Sequence, residues 1–69
     1  MTSAQYDALE RAIVDRTRVA IRVNGGELVV IPEAIRMQRG REHLVTQNPS
    51  SGLPLLIVID DIERVEVVR

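Results

Sequence analysis

The sequence predicts a mainly β domain with one N-terminal helix, its five short strands ordered as in an SH3-like or Sm-like small barrel. Three observations carry this. The apolar periodicity is helical up to about Asp15 and changes to two after Arg16. Clusters of turn-forming residues at "NGGE", "QRG" and "NPSSGLP" divide the rest into short segments. Each of those segments is rich in Val, Ile and Leu, the composition of strands packed on at least one face.

From Ser3 to about Asp15, Tyr6, Leu9, Ala12 and Ile13 recur at three- and four-residue spacing and share one helical face. Thr2 followed by Gln5 fits a capping box. Asp7 and Glu10 in the early turns and Arg11 and Arg16 toward the far end suit the helix dipole, and Asp7 with Arg11 at i,i+4 reads as a solvated pair.

Val19, Ile21 and Val23 then alternate with Arg18, Ala20 and Arg22, the pattern of a half-buried strand. The following Asn-Gly-Gly suits a tight primed hairpin turn, because these residues tolerate positive φ. With Asn24-Gly25 as the loop, Arg22 faces Glu27 and Ile21 faces Leu28; with Gly25-Gly26, the ion pair is lost. Both registers leave Leu28 and Val30 on the Ile21 face. The second strand starts near Glu27, meets Pro32, which cannot donate to a ladder, and continues with an irregularity toward Met37. "REHLVTQ" is the third strand, "LLIVI" the fourth and "RVEVV" the fifth, the last two joined through "DDIE" by a single helical turn. No internal repeat or linker interrupts residues 1–69, which read as one domain.

One face does not accommodate all the apolar residues. Ile21, Val23, Leu28, Val30, Leu55, Ile57, Ile59, Val65 and Val67 are expected to line the barrel, leaving Val29, Ile31, Leu56, Val58 and Val68 pointing outward. The helix covers some of these. The remainder forms a patch of the kind that serves as a contact surface, and a homo-oligomer is expected.

A chain of 69 residues buries only roughly 60% of the surface its unfolded form exposes, so its stability is marginal. The absence of cysteine excludes a disulfide framework and thiol chemistry. Nothing at the amino end reads as a signal peptide, and the apolar run "LPLLIVI" is far too short to span a bilayer, so a cytoplasmic protein without membrane association is expected. The net charge of −1 gives little electrostatic support for non-specific binding to a nucleic-acid backbone. All nine Lys or Arg positions are arginine, which suits bidentate anion contacts. A GC-rich genome produces the same bias.

No nucleophile, base and orienting group can be assembled, because His43 is the only imidazole and Ser50-Ser51 lies in a turn-rich loop; no enzyme activity is expected. Asp60, Asp61 and Glu63 are too few oxygen donors for a hard cation, and no metal or cofactor is expected. "NGGE" lacks the helix and the lysine of a phosphate-binding loop. Tyr6 is the sole aromatic residue, so base stacking has no platform. What remains is Arg36, Arg39 and Arg41 around the second hairpin turn, which with His43 form a candidate small-anion site.

The run from Leu9 to Val67 resembles the WYL domain over nearly the whole chain. An Ala-Ile helix feeds a first strand; Val30 and Pro32, Gly40 and Leu44, and Ile59, Asp60 and Ile62 carry the match. Where the family has its name-giving Trp-Tyr-Leu, this chain has Glu42, His43 and Leu44. Ligand positions of the family fall near Val23, Val58 and Asp61. The resemblance implies an Sm-like or SH3-like barrel and a regulatory module that binds a nucleotide or single-stranded nucleic acid, here through Arg36, Arg39, Arg41 and His43. The helix "YDALERAI" and the segments "EHLV" and "IDDIERV" are also similar to the Rho-binding antiterminator family, small barrels that inhibit transcription termination by occupying Rho. That resemblance implies a protein partner in transcription, contacted through Tyr6, Asp7 and Glu10.

Overall fold

The computed structural model describes residues 1–68. A helix α1 (Ser3–Asp15) is followed by strands β1 (Val19–Val23), β2 (Gly26–Gln38), β3 (Arg41–Gln47) and β4 (Pro54–Val58), a 3₁₀ turn (Ile59–Asp61) and β5 (Ile62–Val67). The strands form one antiparallel sheet in the order β4-β3-β2-β1-β5.

The helix begins as its capping box requires. Thr2 Oγ1 accepts from the Gln5 amide at 3.2 Å, and Gln5 Oε1 accepts from the Thr2 amide at 3.4 Å. It ends at Arg16, which adopts a left-handed conformation and donates its amide to the Ala12 carbonyl. The expected match of charge to the helix dipole is not realised: the first turn holds no acid and the last no base. Asp7 and Arg11 form no ion pair; among the described residues the one such contact is Arg64–Glu66.

The first hairpin uses Asn24-Gly25 as its loop, with φ of 50° and 76°, which settles the register with Arg22 opposite Glu27 and Ile21 opposite Leu28. No ion pair within 4.0 Å joins Arg22 to Glu27. The turn is fastened from outside by Glu63, whose Oε1 accepts from the Gly25 amide at 3.0 Å.

β2 is long because it serves two ladders. Its first half pairs with β1, its second with β3, and the register shifts between Pro32 and Ala34. Proline lacks the amide that an uninterrupted ladder would use, so the irregularity falls there and re-aims the strand. Pro32 itself is fully buried.

The expected barrel is not closed. β4 and β5 are the two edges of the sheet, and among the described residues no ladder joins them. The 3₁₀ turn between them carries the chain across the open end, so the strands do not meet as a hairpin would.

The core gathers Leu9 and Ala12 of the helix with Val19, Ile21, Val30, Leu44, Ile57, Ile59, Ile62 and Val65. Tyr6 and Ile13 pack against it half-buried, so the helical stripe read from spacing is the face that docks. Two of the residues expected to line a barrel do not: Leu28 and Leu55 are each 41% exposed. Both sit on the inward side of strands at places where an open sheet has nothing opposite. Leu44 and Ile62 take core positions instead. Of the residues expected to point outward, Val29, Leu56 and Val68 are exposed, whereas Ile31 and Val58 are half-buried.

Candidate functional site

The four residues of the candidate anion site lie on the β2–β3 hairpin. Arg36 stands directly opposite His43, and Gln38 opposite Arg41, across the turn Arg39-Gly40. Side chains two apart on a strand share a face, so Arg36, Arg41 and His43 project from one side of the ribbon. This is the side opposite Leu44, which faces the core. Arg39 sits at the tip. All three arginines are exposed and His43 is half-buried. None of the three makes a side-chain hydrogen bond or ion pair among the described residues.

His43 Nδ1 lies 3.0 Å from the Arg41 carbonyl oxygen. A carbonyl only accepts, so this contact places the ring proton on Nδ1 and leaves Nε2 free as an acceptor in the neutral ring. On its other flank His43 is paired with Val58 of β4. Of the other two ligand positions that the WYL resemblance implies, Val23 pairs with Gly26 and Ile62 in the first sheet half, and Asp61 lies in the 3₁₀ turn. Neither is a register neighbour of the arginines.

Two features of the turn escape sequence reading. Arg39 has φ of 52° and Gly40 of 75°, the geometry that Asn24 and Gly25 adopt in the first hairpin. That conformation costs an L-residue with a long side chain roughly 1 to 2 kcal/mol, and asparagine is among the few that adopt it readily. The second feature is the Gly40 amide. Its equivalent, the Gly25 amide, is held by the Glu63 carboxylate; the Gly40 amide has no partner among the described residues. The cationic hairpin therefore repeats the positive-φ pair of a turn whose glycine amide bonds a carboxylate elsewhere in the chain. The signal in the sequence is the pairing of "NGG" with "RGR" at two strand junctions.

The residues implied by the second resemblance lie on α1. Tyr6 is not free: its hydroxyl donates to Glu42 Oε2 at 2.8 Å, tying the helix to the start of β3. This bond to a carboxylate, followed by burial and by the negative charges of Glu42 and Glu10, raises the Tyr6 pKa above its ordinary value of 10.0. Asp7 and Glu10 are exposed and make no ion pair among the described residues. The structure thus separates Tyr6, which is engaged internally, from two available acids.

Among the described residues no three His, Asp or Glu side chains are grouped to hold a metal ion, and no helix is long and apolar enough to cross a membrane. The fold and site define a small, strongly bent β sheet carrying a cationic hairpin. No family model, curated protein or solved structure matches the chain.

Proposed function

We propose that this protein is a non-enzymatic, WYL-like regulatory module that binds a phosphate-bearing ligand, a nucleotide or single-stranded nucleic acid, through Arg36, Arg39, Arg41, His43 and the Gly40 amide. The observation that carries this reading is the turn itself. Three arginines without internal partners lie on the same hairpin as an open backbone amide whose counterpart in the first hairpin holds a carboxylate. Guanidinium groups recognise phosphate oxygens bidentately, and a turn amide adds a directed donor. Base stacking contributes little, since no aromatic side chain lies on this hairpin, so recognition is of phosphate more than of base.

The test is an amide-resolved NMR titration of isotope-labelled protein with short single-stranded DNA and RNA and with a set of nucleotides. Saturable shifts are expected at Arg36, Arg39, Gly40, Arg41 and His43. If these amides stay still while every ligand is raised to millimolar concentration, the ligand reading is wrong.

A second reading rests on the exposed acids Asp7 and Glu10. In it the protein is a Rho-directed antiterminator-like module whose helix binds a basic protein surface. Charge reversal at Asp7 and Glu10 removes that activity and leaves phosphate binding intact, which separates the two.

A further inference from the structure

The two edges of the sheet differ in a way that the ligand reading does not explain. The β5 edge is guarded: Glu63, Arg64 and Glu66 are all exposed along it, and such charges are how natural sheets discourage strand addition. The β4 edge, Pro54–Val58, has no charged residue on either face. Leu55 and Leu56 are 41% and 51% exposed. Beside Leu56 on the outer face lie Val45 and, one strand further, Ala34, both half-buried, so the apolar surface continues inward from the edge.

The hydrogen-bonding phase of this edge follows from one bond. The Asn48 amide donates to the Leu53 carbonyl at 2.9 Å, extending the β3–β4 ladder past Gln47–Pro54. Bonded and non-bonded pairs alternate in an antiparallel ladder. Thr46–Leu55 and Leu44–Ile57 are therefore the bonded pairs, and the backbone groups of Pro54, Leu56 and Val58 point away from β3. Leu56 presents a free amide and carbonyl outward, Val58 an amide, its carbonyl being taken by the 3₁₀ turn that it caps, and Pro54 a carbonyl alone.

We infer that β4 pairs antiparallel with β4 of a second copy of this chain, about a two-fold axis at Leu56. In that register Leu56 meets its own copy with a reciprocal pair of backbone hydrogen bonds, and each Val58 amide donates to the Pro54 carbonyl opposite. The missing proline amide falls at the outer end of the ladder, opposite a Val58 carbonyl that the 3₁₀ turn already occupies, and interrupts nothing. Leu55 faces Ile57 of the other copy, and Leu56 lies against Leu56. An uncharged strand is self-complementary without like-charge contacts. Joining β4 to β5 of another copy would instead set the charged side chains of Arg64 and Glu66 against apolar residues of β4. It would also leave an edge open at each end for further chains, whereas the two-fold arrangement closes. The joined sheet places the two cationic hairpins on either side of a central apolar strip.

The test uses Leu56→Glu and Leu56→Lys in the full chain, followed by sedimentation velocity across a concentration series. Wild type is expected to be a dimer. Each variant alone sets like charges face to face at the axis, and its dimer is expected to weaken at least about a hundredfold. An equimolar mixture of the two restores the dimer, which also demonstrates that both variants fold. A wild-type monomer at all concentrations, a dimer indifferent to both variants, or a mixture that stays monomeric overturns the inference; growth into open-ended oligomers overturns it in favour of β4–β5 joining.

Discussion

Replacing Arg39 with asparagine is expected to make this protein more stable and a weaker binder of phosphate. Arg39 holds φ of 52°, a left-handed conformation disfavoured for an L-residue by roughly 1 to 2 kcal/mol. Asn24 occupies the same place in the first hairpin at φ of 50°, so the chain supplies its own reference for what such a turn prefers. Arg39 is exposed and has no side-chain partner among the described residues, so its removal breaks no contact that would offset the gain. Allowing for the residual strain that asparagine keeps, a net gain of about 0.5 to 1 kcal/mol is expected. For a domain of this size that raises Tm by roughly 2 to 8 °C. Urea unfolding and thermal scans on the same preparations measure it. The reverse substitution in the first turn, Asn24→Arg, is expected to lower stability by a similar amount. On the binding side, losing one phosphate contact makes the slope of log affinity against log salt shallower by about 0.7 for a single strand. Between about 50 and 200 mM salt the variant then loses roughly 2.6-fold less affinity than wild type. Opposite signs in the two assays identify a residue held in a costly conformation for the sake of binding. If Arg39→Asn lowers stability, the strain argument fails; if the salt slope is unchanged, Arg39 is not a phosphate contact.

Leu44→Ala removes a fully buried side chain from the centre of β3 and is expected to cost about 3 to 4 kcal/mol. Because a chain of this length has a total stability of roughly 3.5 to 10 kcal/mol, the loss is about a third of it or more, and the urea midpoint followed by circular dichroism is expected to fall in proportion. Tyr6→Phe removes the bond to Glu42 and is expected to cost about 1 kcal/mol at neutral pH by urea titration. Since the folded Tyr6 pKa lies above its ordinary 10.0, its stabilising contribution is complete below pH 10 and is lost as pH rises through the folded value. Stability measured from pH 9 upward should therefore fall more steeply in wild type than in Tyr6→Phe. Thr46 is fully buried and its hydroxyl donates to the Leu55 carbonyl at 2.8 Å; Thr46→Val is expected to cost about 1 kcal/mol and to speed amide exchange in β4.

Local chemistry made most of the elements legible. The Thr2–Gln5 box, the change of period at Arg16 and the Asn-Gly turn each act over a few residues, and the structure forms them where they were read. Pro32 announced its own irregularity, since a missing amide is a property of the residue and not of its surroundings. What spacing could not supply was closure. Alternation assigned Leu28 and Leu55 to the inward face correctly as to direction, but burial also needs an opposing element, and the open sheet provides none at those places. The candidate site divided along the same line. That Arg36, Arg41 and His43 share a face followed from period two and the turn position. The turn pair Arg39-Gly40 has its echo in Asn24-Gly25, whereas the engagement of Gly25 by Glu63 and of Tyr6 by Glu42 depends on residues brought together by tertiary structure, which nothing in the local sequence marks.

The contrast between the two hairpins explains why a binding site would be at the second. Both turns present a positive-φ pair and an outward amide. In the first, the chain following the 3₁₀ turn returns past β1 and brings Glu63 within hydrogen-bonding distance of Gly25, so the donor is consumed by the fold. In the second, β3 and β2 run on beyond the row of half-buried Ile35 and buried Leu44 and Ile57, and among the described residues no side chain bonds to the Gly40 amide at the tip. Arg36, Arg39 and Arg41 are exposed there, so their charge costs no burial. The register shift at Pro32 divides β2 between its two ladders, and β4, which pairs with β3 alone, is the edge of the second, so the cationic hairpin and the apolar edge belong to the same half of the sheet.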